Sequence, residues 1–271
     1  MEGTQSADHR VSVVGDNTID RYVGKANVEY VGGNALNVAI HLSRLGLSSS
    51  YFGAIANDNN GQKVTRALME NLVDIAGLVL LPGETAVTQI RLAVDGDRIF
   101  EQEDFGVTAE YFPDQSTVRR IASANWVHIG MLGQASRLRA SIAAQGLPTI
   151  VSQDCSVASG HEYLDVAFFS SGGDKRAAMD LARDAISNGV KLAVVTRGDQ
   201  ETIAYDGTIW WEQTPLPIQV VDTTGAGDSF IAGFISARIR GIDIEGALAQ
   251  GARIAAYTCQ HFGGFPQSRT T

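Results

Sequence analysis

The most informative segment of the chain, residues 221–234, reads Val221-Asp222-Thr223-Thr224-Gly225-Ala226-Gly227-Asp228-Ser229-Phe230-Ile231-Ala232-Gly233-Phe234. Its pattern predicts a strand that ends at Asp222, a turn that contains Gly225 and Gly227, and a helix that follows. Glycines at the start of a helix leave backbone N–H groups uncovered, and these can converge on an anion beside the positive end of the helix dipole. The segment therefore predicts a phosphate site that uses no lysine.

Two other phosphate-binding patterns do not fit this chain. The Walker A pattern GxxxxGK[ST] occurs nowhere in the sequence. A dinucleotide fingerprint needs a third glycine where this segment has Phe230, and the segment lies near the C-terminus. The predicted phosphate site is therefore of another kind.

Asp228 lies in the first turn of the predicted helix, next to the uncovered N–H groups. A carboxylate would repel a phosphate that is merely bound. It can, however, take the proton from a hydroxyl that attacks a phosphoryl group while the N–H groups stabilise charge on the phosphoryl oxygens. The alternative is that Asp228 only complements the helix dipole. Spacing alone leaves both interpretations open.

A second segment, residues 32–39, reads Gly32-Gly33-Asn34-Ala35-Leu36-Asn37-Val38-Ala39. Its paired glycines permit close approach of a ligand to the backbone, and Asn37 falls early on a helix, where its amide could meet hydroxyl groups. The alternative is a tight turn with Asn34 as the helix N-cap.

Acids follow two of the predicted strands at the edge where open α/β sheets bind ligands. Asp16 and Asp20 come after the first strand. Asp154 follows a later strand, where it would order substrate or metal, or cap a helix. Acids and amides together suit a substrate with many hydroxyl groups.

Short β-branched runs alternate with segments of helical period, which predicts a mostly parallel sheet covered by helices. The runs are apolar throughout, as buried parallel strands are. The predicted strands are Val11–Gly15, Tyr51–Ala56, Trp126–Gly130, Thr149–Gln153, Val166–Ser170 and Leu192–Thr196. The predicted helices are 35–45, Gly61–Leu72, Gln134–Ala144, Asp174–Ser187, Ala226–Arg240 and Ile244–His261.

Two segments depart from this alternation. Residues 18–30 have no helical period, and residues 85–94 alternate, turn at Asp95-Gly96-Asp97 and resume through Glu103, which predicts an antiparallel hairpin. We therefore interpret residues 1–271 as one α/β domain with a small β lid, formed by segments at about 18–31 and 86–104. A second hairpin is predicted around Asp206-Gly207.

The composition limits the class of protein. The chain has 271 residues and a formal net charge of −9, and this acidic balance argues against nucleic acid as a partner. Its two cysteines, Cys155 and Cys259, form no CxxC pair, which fits a reducing compartment. The N-terminal residues lack the apolar run of a signal peptide, and no apolar segment is long enough to cross a bilayer. We therefore expect a cytoplasmic protein without a membrane partner.

Residues 32–39 and 222–228 together resemble the two signature motifs of the PfkB, or ribokinase-like, family of carbohydrate kinases, and the order of elements matches this family along nearly the whole chain. The resemblance implies a three-layer α/β/α fold. It also implies transfer of the γ-phosphoryl group of ATP, with Mg²⁺, to a hydroxyl of a sugar. In this family the acid that matches Asp228 is the catalytic base, and the residues that match Gly225, Ala226 and Gly227 form the anion hole.

The resemblance also assigns binding residues. Sugar hydroxyls are held by the residues that match Asp20, Gly32, Gly33 and Asn37, and we place Asp16 beside them. Nucleotide phosphates meet the strand end that matches Thr196 and Gly198, together with Thr223, Gly225 and Gly227.

The metal contacts follow the family pattern only in part. Asp222 matches a position associated with a monovalent cation such as K⁺ or with ordering of the loop. The usual Asn-x-x-Glu that helps to order hydrated Mg²⁺ falls at Ser170 to Gly173 and is absent, so Asp174 is the nearest substitute. Many relatives also have a glycine where this chain has Glu201.

Within the family, the Gly15-Asp16-Asn17 run, the Gly-Gly-Asn-Ala motif without the ribokinase lysine and the short chain are most similar to the fructoselysine 6-kinases. The acids Glu101, Glu103 and Asp104 of the predicted lid could then face the ammonium group of an aminated sugar. The alternatives are a ribokinase, a nucleoside kinase or a 2-keto-3-deoxygluconate kinase of the same fold, and a catalytically silent protein that binds sugar or nucleotide. Lid strands of such kinases often pair between subunits, which implies a homodimer.

Overall fold

The computed structural model describes residues 9–23, 28–92 and 98–267. The strands are β1 (Arg10–Val14), β2 (Thr18–Val23), β3 (Val28–Gly32), β4 (Ser48–Ile55), β5 (Asp74–Leu80), β6 (Val87–Leu92), β7 (Arg98–Asp104), β8 (Trp126–Ile129), β9 (Ile150–Asp154), β10 (Val166–Ser170), β11 (Leu192–Arg197), β12 (Gln200–Tyr205) and β13 (Trp210–Gln213). The helices are α1 (Asn34–Arg44), α2 (Asn59–Glu70), α3 (Gln115–Ala122), α4 (Ala135–Ala143), α5 (Lys175–Ser187), α6 (Ala226–Ile239) and α7 (Ile244–Thr258), with a short 3₁₀ helix over Gly106–Glu110.

The main sheet has nine strands in the order β13-β12-β11-β10-β9-β8-β1-β4-β5. Every pair from β11 to β5 is parallel, and β12 and β13 add an antiparallel hairpin at one edge. The six predicted strands form the middle of this sheet, and the hairpin predicted around Asp206-Gly207 is its antiparallel edge. The predicted α/β class is therefore confirmed.

Two apolar cores lie on opposite faces of the main sheet. Successive residues of β1 show the division, because Val13 packs in the core with α1, α2, α6 and α7, whereas Val14 packs in the core with α3, α4 and α5. Both side chains are fully buried. A strand that is buried on both faces reads as a continuous apolar run, which is why these strands could be found in the sequence. The result is the predicted three-layer α/β/α arrangement.

A separate small sheet contains the strands β3-β2-β6-β7 in that order. The predicted hairpin is present as the antiparallel pair β6 and β7, although its turn at Asp95-Gly96-Asp97 lies outside the described residues. The two departing segments also join each other, because β2 pairs in parallel with β6. This small sheet coincides with the segments predicted to form a lid.

Some element boundaries differ from the predictions. α2 begins two residues before the predicted Gly61, because the Asp58 carboxylate accepts a hydrogen bond of 2.7 Å from the Gly61 N–H and so caps the helix earlier. The last helix ends at Thr258 rather than His261. The edge strand β5 has a mixed burial pattern and was not predicted. The helix α3 was also not predicted, because it has only eight residues, although its buried residues Val118, Ile121 and Ala122 have helical spacing.

Candidate active site

The phosphate-binding turn, residues 222–228, leads into the N-terminus of α6. The strand predicted to end at Asp222 is absent from the described residues, because β13 ends at Gln213 and prolines at 215 and 217 provide no N–H donors for strand pairing. Gly225 is the N-cap of α6 and has φ of 70°, a conformation that favours glycine. A Cβ at this position would lie 2.6 Å from Gly264 Cα, so glycine is also required by packing. Gly227 is exposed, and no atom lies within 4 Å of the place where its Cβ would be. The turn therefore leaves room for a ligand at the start of α6.

Asp228 lies in the first turn of α6 and faces the start of α1. Its Oδ1 accepts a hydrogen bond of 2.6 Å from Asn34 Nδ2, and its Oδ2 accepts one of 2.8 Å from Asn37 Nδ2. The two predicted motifs thus meet side chain to side chain, although 191 residues separate Asn37 from Asp228. Among the described residues, the hydrogen-bond donors to this carboxylate are two neutral amides and no cation, so the carboxylate keeps lone pairs for a proton.

Asn34 does not cap α1, unlike the alternative considered from the sequence. Gly33 is the N-cap and supplies no side chain, so the Asp16 carboxylate takes over by accepting the N–H groups of Asn34 and Ala35, each at 2.9 Å. The Asn34 amide is thereby free to donate to Asp154 Oδ2 at 2.8 Å as well as to Asp228. One asparagine therefore joins three carboxylates.

These three carboxylates resist ionisation. Burial raises the pKa of Asp16 to about 6, and burial also raises the pKa of Asp154. The pKa of Asp228 is raised well above its usual range by burial and by the charges of Asp154 and Asp16, against the lowering effect of its hydrogen bonds. A carboxylate whose pKa is raised toward neutrality is a stronger base than an ordinary aspartate.

We expect kcat/KM to fall at low pH with an acid limb above the ordinary Asp range of about 4, because a base must be ionised to accept a proton. Asp154→Asn should move that limb to lower pH, since it removes a negative charge that raises the pKa of Asp228. ATP titrates in the same way with the wild type and with Asp154→Asn. The difference between their two pH profiles therefore reports titration of the protein's own groups. Asp243→Asn, at the N-cap of α7, is the matched control and should leave the limb in place. An unshifted limb in Asp154→Asn would contradict the coupling.

A cavity of about 180 Å³ lies between Asp228 and the small sheet. Among the described residues that line it are five carboxylates and no lysine, arginine or histidine; the carboxylates are Asp16, Asp20, Glu103, Asp104 and Asp228. Three asparagines also line it, and the Oδ1 atom of each is buried without a hydrogen-bond partner; these are Asn17, Asn34 and Asn37. A lining of acceptors requires a ligand rich in donors.

Most residues predicted to hold the sugar lie at this cavity. Asp16, Asp20, Gly33 and Asn37 line it directly. Gly32 does not line it, but a side chain there would collide with the Asp20 carboxylate, so this glycine lets β3 pack beside Asp20. The residues predicted to hold the sugar therefore lie together at the small cavity.

A second cavity, of about 650 Å³, lies on the other side of the phosphate-binding turn. The residues predicted to meet the nucleotide that line it are Thr196, Gly198, Thr223 and Gly227, and Ala226 lines it as well. Gly225 lines the smaller cavity instead. The start of α6 therefore separates the two cavities. Asp228 lines the smaller cavity, and Ala226 and Gly227 line the larger one.

The walls of the larger cavity include a segment that the sequence analysis missed. Residues 214–218 have no regular secondary structure and line the cavity together with Val220 and one face of α7. Proline at positions 215 and 217 keeps this segment extended. No periodic pattern or motif distinguishes such a wall in the sequence.

The Gly263-Gly264 pair is a second support that was missed. A Cβ at Gly264 would lie 2.5 Å from the Asn37 amide, and Gly264 also packs against Gly225. The Gly264 carbonyl accepts a hydrogen bond of 2.8 Å from His41 Nε2, and burial lowers the pKa of His41 to about 4, so this ring is neutral. In the sequence, the only sign of this close packing is the pair of adjacent glycines near the C-terminus.

Asp222 is buried and richly hydrogen-bonded. Its carboxylate accepts from the Thr224 N–H and hydroxyl at 2.9 and 2.6 Å, from the Gly263 N–H at 3.0 Å, and from the Tyr22 hydroxyl at 3.1 Å. A carboxylate has about four acceptor positions, and these donors order the loop around Asp222. The K⁺ prediction is not tested by this arrangement.

Asp174 lies outside both cavity linings. It is the N-cap of α5, where Oδ1 accepts from the N–H groups of Arg176 and Ala177 at 2.8 and 3.3 Å. Within residues 9–23, 28–92 and 98–267, no group of three or more His, Cys, Asp or Glu side chains could hold a metal ion.

Comparison with known proteins decides the family. The chain matches the pfkB family carbohydrate kinase profile over residues 10–147 and 156–270. The chain belongs to the pfkB family of carbohydrate kinases. This kinase is 33% identical to fructoselysine 6-kinase of Shigella flexneri over 260 residues, which cover 94% of this chain and 99% of that protein. It is 34% identical to fructosamine kinase FrlD of Bacillus subtilis (strain 168) over 268 residues, with 94% and 93% covered.

The fold agrees with the family. The structure of Arabidopsis thaliana ribokinase complexed with ribose and ATP superposes with a TM-score of 0.82 at 20% identity, over 94% of this kinase and 93% of that chain. The predicted family, the ribokinase-like fold and the similarity to fructoselysine 6-kinases are thus confirmed. The protein is an ATP-dependent phosphotransferase that acts on a sugar hydroxyl. Across the described ranges, every helix is too short or too polar to span a membrane.

Proposed function

We propose that this kinase transfers the γ-phosphoryl group of ATP to a hydroxyl of an aminated sugar of the fructoselysine class, acting as a 6-kinase. The observation that carries the proposal is the small cavity, where five carboxylates and three unpartnered asparagine oxygens occur with no cationic side chain among the described lining residues. Such a surface favours a ligand with several O–H donors and a positive charge. The names of the relatives, fructoselysine 6-kinase and fructosamine kinase, support the same class.

The proposed reaction is an in-line transfer across the start of α6. The acceptor hydroxyl lies in the small cavity and gives its proton to Asp228 as its oxygen bonds to the γ-phosphorus. The bond between this phosphorus and the β–γ bridging oxygen breaks, and ADP leaves with that oxygen. The N–H groups at Gly225, Ala226 and Gly227 stabilise the charge on the transferring oxygens. Asn34 and Asn37 keep Asp228 oriented throughout.

We propose that the small sheet acts as the predicted lid. Glu103, Asp104, Thr88 and Ile90 of this sheet line the substrate cavity, so the sheet covers the acceptor from the side opposite Asp228. Cover of this kind excludes water, which would otherwise compete for the γ-phosphoryl group. The outer edges of β3 and β7 have no strand partner within the described ranges, and we propose that a second copy pairs there to form a homodimer.

Mg²⁺ would enter this site on the phosphates of ATP. In kinase sites this ion keeps several waters and needs only one or two carboxylates besides the phosphates. Asp199 is the acid among the described residues that line the nucleotide cavity, and Asp174 begins the nearby helix α5. Asp199 would meet the water shell of a hydrated ion, and the bound ion would neutralise phosphate charge. We place the reaction in the cytoplasm, where ATP is available.

A substrate panel tests the proposed function. Purified protein is incubated with MgATP and fructoselysine, fructose, ribose, adenosine or 2-keto-3-deoxygluconate, and ADP release is measured. We expect the highest kcat/KM with fructoselysine, because its ammonium group meets the carboxylates of the cavity. A higher kcat/KM with ribose, adenosine or the keto acid would contradict the proposal. The silent alternative does not fit a site in which base, uncovered N–H groups and both cavities are all present.

Glu103 provides a prediction about recognition of the amine. Its carboxylate lines the cavity on β7, whereas Glu101 of the same strand pairs with Arg91 and lies outside the lining. Glu103→Gln should weaken binding of fructoselysine by about 5-fold, the value of a partly screened ion pair, and leave fructose binding unchanged. Calorimetric titration of both sugars measures this, with Glu101→Gln as the matched control. Equal effects on both sugars, or none, would contradict an amine contact at Glu103.

A further inference from the structure

Tyr22 connects the small sheet to the phosphate-binding turn. It lies on β2, and its side chain is 3% exposed. Its hydroxyl donates to Asp222 Oδ2 at 3.1 Å and lies 2.9 Å from Thr224 Oγ1. These two residues come directly before Gly225, the N-cap of α6. A single hydroxyl from the small sheet therefore reaches the base of the turn.

The hydrogen bonds around Asp222 determine the shape of this turn. Thr224 donates both its N–H and its hydroxyl proton to Asp222 Oδ1. With the Thr224 proton used in this way, the Thr224 oxygen presents lone pairs, and the Tyr22 proton is shared between it and Asp222. The Tyr22 hydroxyl thus connects the small sheet to the buried hydrogen bonds between Asp222 and Thr224.

The Tyr22 ring is held firmly by its own sheet. It contacts Tyr30 of β3 edge to face, with ring centroids 5.6 Å apart, and both rings pack with Ile90 of β6. The ring therefore cannot follow the turn independently of the small sheet. A displacement of the sheet would withdraw the hydroxyl from Asp222 and Thr224 together.

We propose that Tyr22 is a positioning residue that couples the position of the lid to the geometry of the phosphate-binding turn. With the small sheet over the acceptor, the Tyr22 hydroxyl completes the hydrogen bonds of Asp222 and Thr224 and fixes the N–H groups of Gly225 and Gly227. With the sheet displaced, the turn loses this contact and the N–H groups are less well aligned. The inference rests on the proposed role of that turn in holding the γ-phosphoryl group. Phosphoryl transfer would then be efficient only when the small sheet covers the acceptor.

Tyr22→Phe tests the coupling, with Tyr30→Phe as the matched control. Both variants remove one oxygen from a buried ring of the same cluster, but the Tyr30 hydroxyl makes no hydrogen bond to any described residue. Tyr22→Phe should lower kcat by about 10- to 100-fold, the value of a hydrogen bond to a charged group, with the acceptor KM changed less than about 3-fold. Tyr30→Phe should retain wild-type kcat. Equal kcat in the two variants would overturn the inference.

A second measurement keeps the test independent of the acceptor. Hydrogen–deuterium exchange of a peptide that spans residues 221–228 should be faster in Tyr22→Phe than in Tyr30→Phe, because the turn has lost a contact. Exchange equal to that of the control would overturn the coupling even if no acceptor were turned over. If Asp228→Asn retained turnover while Tyr22→Phe altered exchange, the proposed function would fail and the structural coupling would stand.

Discussion

Asp228→Asn is expected to lower turnover by about 10²- to 10⁴-fold while ATP affinity changes little, because the amide cannot accept the proton of the attacking hydroxyl. The substitution keeps the size of the side chain, and the remaining oxygen still accepts from Asn34 or Asn37, whereas the new NH2 group replaces the acceptor of the other asparagine. The proposed ATP site, the cavity lined by Thr223, Ala226 and Gly227, lies on the other side of the turn. The measurement is steady-state ADP release together with a calorimetric Kd for ATP.

Asp243→Asn is the control for this experiment. Asp243 caps α7 through a hydrogen bond of 2.8 Å to the Gly246 N–H, and asparagine caps helices about as well as aspartate. It should turn over like the wild type. Unchanged turnover in Asp228→Asn would remove that residue from the mechanism, and loss of ATP binding would show that it belongs to the nucleotide site.

Gly225→Ala should lower both stability and turnover. At φ of 70° an alanine lowers the free energy of unfolding by about 1–2 kcal/mol. Its Cβ would also lie 2.6 Å from Gly264 Cα, and this backbone atom cannot move aside as the end of a flexible side chain could. Relief of this overlap must shift the turn whose N–H groups we propose to bind phosphate. We expect turnover to fall by about 100-fold or more, the value of one misplaced anion-hole donor. Thermal unfolding and ADP release measure the two effects.

Gly227→Ala separates packing from ligand approach. Gly227 has an ordinary helical conformation and nothing within 4 Å of the added methyl group, so Tm should be unchanged or higher. The methyl group points into open space at the nucleotide cavity, and the KM for ATP should therefore rise. If Gly225→Ala had the Tm and the turnover number of the wild type, Gly225 would not constrain the turn in the way proposed.

The fold could be predicted where the residue pattern is local. Strands such as β1 and β8 are buried on both faces and are therefore recognisable as apolar runs. The pairing of β2 with β6 was not predictable, because it joins residues such as Ile19 and Val87, 68 positions apart, through backbone hydrogen bonds that have no side-chain signature. β5 has one exposed edge and a mixed burial pattern, which weakens its signal.

The site could be predicted where a motif carries it. Asp228, Gly225 and Asn37 were found because they lie in two segments that resemble the signature motifs of the family, whereas spacing alone left the role of Asp228 open. The bridge from Asn34 to Asp154 and the wedge of Gly264 between Asn37 and Gly225 were not, since they arise only when distant segments pack together. Tyr22 was missed for the same reason, because 200 residues separate it from Asp222.

A crystal structure with fructoselysine and a non-hydrolysable ATP analogue would test the central claim most directly. We predict that the acceptor hydroxyl lies about 3 Å from the Asp228 carboxylate. We also predict that the γ-phosphate contacts the N–H groups of Gly225 to Gly227 and that the substrate ammonium group faces Glu103 or Asp104. A γ-phosphate bound away from the start of α6, or a sugar whose hydroxyls do not reach Asp228, would contradict this claim.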